Sequence, residues 1–228
     1  MEEHAPFGWF NELPLPAPLA TAALVAALLL IFALSVRRKL AATESALIPD
    51  EGVTGRNIAE VFVEMIRDLA EGVIGHHSER YVPLLATFFG FVLLANLLGL
   101  VPGFAPPTSD FNITFALGLV SFIAYHVYGI REHGPKYVNQ FLGPVLWLAP
   151  LMFVVEIFSH VFRPVSLGIR LFANMFADHQ LVEIFTDLTK AVVPVVFYCL
   201  GAFVSVVQAF VFTMLSAIYI ALAVSHDH

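Results

Sequence analysis

The sequence predicts an all-α integral membrane protein in a single membrane domain. It has about five membrane-embedded helices plus one amphipathic surface helix, the last two long and strongly tilted. Three observations carry this reading. Hydrophobic residues make up 59% of the 228 positions and charged residues 13%, about half the charged share of a soluble domain. Mean hydropathy is +0.83. The charges also gather between uncharged runs, each close to the roughly 20 residues that cross a bilayer as a helix. The single cysteine, Cys199, sits inside an apolar run, so there is no disulfide framework and no thiolate metal site. Nine histidines are scattered without metal-ligand spacing on one helix face, and no cofactor is expected. A net charge of −7 argues against a nucleic-acid partner.

Taken in order, residues 1–17 are acidic and proline-rich, with Phe7, Trp9 and Phe10 as interface anchors. They do not form a signal peptide, because the basic cluster follows the first apolar run instead of preceding it. Residues 18–36 carry no charge and are long enough to cross about 27 Å as a helix. Arg37, Arg38 and Lys39 follow at once, which puts the N-terminus outside and this end in the cytoplasm. Residues 54–75 differ in kind. Ile58, Val61, Phe62, Met65, Ile66 and Leu69 recur at helical spacing opposite Glu60, Glu64, Arg67, Asp68 and Glu71. This segment is too charged to cross and reads as an amphipathic helix on the cytoplasmic surface, with docking to another subunit as the second option.

Residues 81–101 form the second span, broken only by Asn96 and by Pro83 in its first turn, where proline is tolerated. A stiff loop without Lys or Arg follows over 102–110, as expected outside. Residues 112–130 return as the third span, N-capped by Ser109 or Asp110. Eight of the eleven basic residues (Arg37, Arg38, Lys39, Arg56, Arg67, Arg80, Arg131, Lys136) then fall on segments assigned to the cytoplasm.

Residues 144–187 are dense in polar groups: Glu156, His160, Arg163, Arg170, Asp178, His179, Glu183 and Asp187. As a helix they measure about 60–66 Å, twice the thickness of the hydrocarbon. Either the chain breaks near Pro164 and Gly168 into a hairpin, or one helix lies strongly tilted. The scarcity of turn residues favours a tilted helix kinked at Pro164. Arg170 stands within it with no acidic residue in reach of one turn. A guanidinium stays protonated, and leaving it in hydrocarbon costs from about 2.5 to more than 10 kcal/mol. It must meet an anion or line a wet cavity. Ser166, Asn174, Arg163 and Glu156 fall within about 40° of it around the helix, while His179 points the opposite way. Residues 192–224 form the last helix, where Gly201, Gln208 and Tyr219 share a stripe about 20° wide, flanked by Ser205 and Ser216. Such a stripe serves equally as polar glue between helices.

The run Ser166-Leu-Gly-Ile-Arg170-Leu-Phe-Ala-Asn174-Met, preceded by Glu156 and Arg163-Pro164-Val165, resembles the a subunit of rotary F-type ATP synthases. Gln208-Ala-Phe-Val-Phe212 with Tyr219 is similar to that family's final helix, and Ser109-Asp-Phe-Asn-Ile-Thr114 to its mid-chain loop. The resemblance covers the chain from the first span onward. It implies a stator of the proton channel in a bacterial plasma membrane, with no catalytic chemistry of its own. Its partners would be a ring of c subunits, b-type peripheral stalk subunits, the ATPase catalytic sector indirectly, and the lipid bilayer. By the same resemblance, Arg170 is the essential arginine facing the ring carboxylates, and Asn174 and Gln208 are its polar neighbours. Glu156 and Ser166 fall on the cytoplasmic access path, and Tyr219 near the cytoplasmic end of the last helix.

The chain departs from the family in one respect. Members carry either Glu at the ninth position after the arginine, paired with a titratable residue on the last helix, or His there with Glu as partner. Here the ninth position is His179, but the partner position, seven before Gln208, is Gly201. Glu183, one turn after His179, is the first candidate for the missing carboxylate, and Asp178 the second. The competing class is an ion-coupled secondary transporter acting alone, which would show two related halves; no such repeat is present.

Overall fold

The computed structural model describes residues 14–42, 54–75, 78–101, 103–134, 137, 149–189 and 192–225. Phe7, Trp9 and Phe10, residues 144–148 and the histidine-bearing terminus 226–228 lie outside the described residues. Six α-helices occur among the described residues: α1 (Ala17–Ala42), α2 (Gly55–Ile74), α3 (Val82–Gly99), α4 (Phe111–His133), α5 (Ala149–Thr189) and α6 (Val192–Val224). All but α2 contain a stretch long and apolar enough to cross a membrane, so the protein is an all-α, multipass membrane protein.

Local chemistry accounts for the helix ends. Thr54 caps α2 by accepting from Asn57 N at 3.3 Å, and Gly75, at φ 87°, ends it. Of the two expected caps for α4, Asp110 serves: its Oδ1 accepts from Asn112 N at 2.8 Å. Pro83 falls in the first turn of α3, where its missing N–H has no helical partner to lose. α1 continues past residue 36 through the basic cluster, and α4 past 130 to His133. Long basic side chains reach the interface without ending a helix, so a helix and its membrane-crossing part differ in length.

α6 is the central rod, packing against α3, α4, α5 and α2. Phe212 meets Phe88 of α3 edge to face at 5.4 Å. Ser121 of α4 donates to Ser216 at 2.9 Å. Near the C-terminal end of α6, Ala217, Ile220 and Ala223 share a core with Ile66 and Ala70 of α2. α2 therefore spends only one edge of its apolar face on this chain, and Ile58, Val61 and Met65 remain exposed. Arg67–Glu79 (3.0 Å) and Arg80–Glu132 (2.7 Å) tie the α2 end together on the surface, where such pairs contribute about 1 kcal/mol or less.

α5 runs 41 residues without interruption, with Pro164 inside it. At 1.5 Å per residue it is about 60 Å long, so it cannot stand upright within about 30 Å of hydrocarbon. It crosses α4 at very close range. A Cβ on Gly118 would stand 2.6 Å from the carbonyl oxygen of Pro164, and one on Gly168 would stand 3.1 Å from Phe115 Cα and from Thr114 O. The two backbones touch, with no side chain between them. This contact fixes where Arg170, two residues beyond Gly168, emerges from the bundle.

Candidate functional site: the Arg170 face and the cavity at the loop end

The predicted residues sort into three places. The first is the outer face of α5. Arg170, Ser166 and Asn174 are all exposed there, while Leu167, Leu171 and Met175 are buried on the inner edge. Elsewhere on α5 the exposed residues are largely apolar, Ile169 and Phe176 among them. Among the described residues, no carboxylate lies within ion-pairing distance of Arg170. Gln208 is buried on the inner stripe of α6, together with Gly201, Ser205 and Ser216. Ser205 donates to its own helix at Gly201 O, and Ser216 meets α4, so part of that stripe does serve as glue between helices.

The second place is the loop end, where α3 turns into α4. A cavity of about 60 Å³ opens there, lined among others by Asn96, Asp178, His179, Tyr198 and Phe104. Asp178 is only 7% exposed, and its carboxylate lies against Gly201: a Cβ on that glycine would stand 2.5 Å from Asp178 Oδ2. Asn96 is fully buried; its Oδ1 accepts from Thr108 at 2.6 Å, and its Nδ2 has no hydrogen-bond partner among the described residues. His179 is half-buried at the cavity, and Glu183 is exposed. The structure thus brings Asp178 against Gly201 and places His179 at the adjoining cavity.

The third place is the α2 end of α5. His160 Nε2 lies 3.2 Å from Glu156 Oε1, and His160 Nδ1 lies 2.9 Å from the Tyr125 hydroxyl. Arg163 stacks over the rings of Tyr125 (5.9 Å) and Tyr219 (5.4 Å). His126 stands beside the set, 5.2 Å from His160 ring to ring. Arg163 can only donate, and both it and the phenol address Nδ1, so the geometry assigns the ring hydrogen to Nε2, toward Glu156.

Sequence reasoning missed Asn96 with Thr108, the Tyr125–His126–His160 set, and the reason for Gly201. Glu156 and His160 are four apart on one helix, so that pair was readable. The others join side chains from helices whose crossings no local pattern encodes.

The chain matches the family described as "ATP synthase A chain" over residues 19–221. It is 47% identical over 195 residues to ATP synthase subunit a of Bdellovibrio bacteriovorus, covering 85% of each chain. It is 40% identical over 205 residues to the subunit a of Geotalea uraniireducens, covering 90% of this chain and 86% of that one. With the subunit a of Trichlorobacter lovleyi it shares 41% over 204 residues, covering 90% and 85%. The chain belongs to the ATP synthase A-chain family, the proton-translocating subunits of the membrane-embedded Fo sector of F-type ATP synthase.

Proposed function

We propose that this subunit is the fixed wall along which a ring of c subunits turns, with Arg170 facing the ring carboxylates between two offset aqueous half-channels. The observation that carries this is the guanidinium exposed on a membrane helix between Ser166 and Asn174, with no carboxylate of its own chain, among the described residues, in ion-pairing reach. Such a charge is tolerable in a membrane only beside water or an anion from elsewhere.

In the synthesis direction, a proton enters at the loop end past Asp178 and His179 and neutralises a ring carboxylate that has just left Arg170. The neutral carboxyl can turn into lipid, where a carboxylate could not. After nearly a full turn it reaches the path near Glu156 and Ser166 and releases its proton to the cytoplasm. Arg170 then holds the bare carboxylate and blocks a direct leak between the two paths, with Asn174 and Gln208 as polar neighbours and Tyr219 near the cytoplasmic exit.

The loop end faces outside and the α2 end the cytoplasm, because Arg67, Arg80 and Arg131 gather at the latter. The membrane is a bacterial plasma membrane, with the N-terminus outside and the C-terminus inside. The exposed edge of α2 (Ile58, Val61, Met65) suits the bilayer surface or the b-type stalk, which links the subunit to the ATPase sector.

The test is ATP-driven quenching of a pH-sensitive dye in inverted vesicles of the whole complex, with and without sodium and an uncoupler. Quenching that is independent of sodium and abolished by the uncoupler is expected. His179→Ala should slow proton flux several-fold while the complex still assembles; unchanged flux would take His179 out of the path.

A further inference from the structure

We propose that His160 is the positioning residue of the release acid: its Nε2–H holds the Glu156 carboxylate in one orientation and keeps it from closing onto Arg163. The proposal rests on the channel reading above, in which Glu156 stands on the cytoplasmic path, and names the group that makes this carboxylate fit to exchange protons.

The arrangement draws on three helices. His160 Nε2 lies 3.2 Å from Glu156 Oε1, one turn back on α5. The imidazole side chain is 12% exposed and the carboxylate 34%, so a sheltered ring holds an acid that still reaches water. On the other side of the ring, Nδ1 accepts from the Tyr125 hydroxyl at 2.9 Å, and Arg163 approaches it at 3.4 Å. Tyr125 is fully buried on α4, so packing fixes the anchor of the ring. The Tyr219 ring of α6 lies 5.4 Å under the Arg163 guanidinium and fixes that group in turn. His126, also against His160, turns its own Nδ1 to the Phe122 carbonyl oxygen at 2.9 Å.

Glu156 and Arg163 are two helical turns apart and share one face of α5. No ion pair joins them among the described residues; the imidazole bridges the space, one nitrogen toward each. A cation in contact would hold a carboxylate ionised and resist its protonation. A neutral N–H orients the same group with a looser grip. The chemistry is proton exchange at Glu156 alone. Water from the ring side gives a proton to the carboxylate oxygen that does not face His160, one O–H bond forming as another breaks, and water on the cytoplasmic side takes it away. His160 keeps its hydrogen on Nε2 throughout.

The experiment uses the assembled complex in inverted vesicles and reads ATP-driven proton pumping at equal complex content. His160→Leu keeps bulk and removes both hydrogen bonds; a loss of about tenfold is expected, the scale of one hydrogen bond to a charged group. His160→Gln restores an N–H donor that cannot take up a proton, and pumping should return to within about twofold of wild type. Tyr125→Phe keeps the ring under Arg163 and frees the imidazole, for a loss of about threefold. In a Glu156→Gln background, His160→Leu should cost nothing further, because the two act as one unit. Wild-type pumping by His160→Leu would overturn the proposal. So would His160→Gln no better than His160→Leu, or a full further loss from His160→Leu in the Glu156→Gln background. If Glu156→Gln itself pumps at the wild-type rate, or Arg170→Ala pumps normally, the channel reading fails instead, a result distinct from each of these.

Discussion

Arg170→Lys is expected to abolish coupled ATP synthesis although it keeps the positive charge. The guanidinium is planar and presents several donors in a fixed fork, so a carboxylate sliding past can be handed from one N–H to the next. The ammonium is a compact point charge that binds its own water strongly and offers no such edge. About 2.3 kcal/mol per proton is available for each 100 mV of potential, which bounds how tightly the cation can hold its partner and still let go. A dry ion pair at low effective dielectric would stall the rotor. The exposed position of Arg170 on α5 fits a pair kept wet and loose. Synthesis in energised vesicles should fall by about a hundredfold or more in Arg170→Lys, the scale of losing roughly 3 kcal/mol of positioned charge stabilisation. Normal synthesis would remove the role assigned to this residue.

Gly118→Val should be nearly as severe, by a different route. The α4–α5 crossing is backbone on backbone, with the Pro164 carbonyl oxygen 2.6 Å from the Cβ site of Gly118. Neither partner can escape by changing rotamer, so the helices must part and the mount of Arg170 shifts with them. Overpacking a close contact costs about 1–3 kcal/mol for small insertions; the methyl of Gly118→Ala sits in that range, and the branched chain exceeds it. The expected result is little assembled complex in membranes for Gly118→Val, and a lowered thermal midpoint for Gly118→Ala in detergent. Gly72, with nothing within 4 Å of its Cβ position, is the control. Gly72→Ala should leave assembly intact. Equal stability of the Gly118 and Gly72 alanine variants would show that the crossing is softer than its geometry implies.

Much of this architecture was legible in the chain itself. Uncharged runs near 20 residues announce spans by the cost of burying charge. The length of 144–187, with few turn residues for a hairpin, favoured one long tilted helix, and α5 is continuous through Pro164 from Ala149 to Thr189. Once that helix is granted, 100° per residue places Ser166, Arg170 and Asn174 on one face, and all three are exposed together. What sequence could not supply was contact between helices. Whether Asp178 or Glu183 approaches Gly201 depends on the rotation and depth of α5 against α6, set in part at Gly118 and Gly168. The bond between His160 and Tyr125 joins residues 35 apart on different helices, and no periodicity within either one encodes it.

Arg163 shares a flank of α5 with Arg170 but lives under other constraints. Clasped against the phenol rings of Tyr125 and Tyr219, about 10 Å along the axis from Arg170, it cannot swing after a passing anion. It is a stationary positive bias on the wall, and a charge fixed beside low-dielectric material shapes the potential around it. Hydronium is thinned out near such a bias and carboxylates are drawn toward it. In the proposed channel Arg163 stands between Glu156 and Ser166 along α5, so its fixed charge lies on the release side of Arg170 and favours the departure of protons toward the cytoplasm.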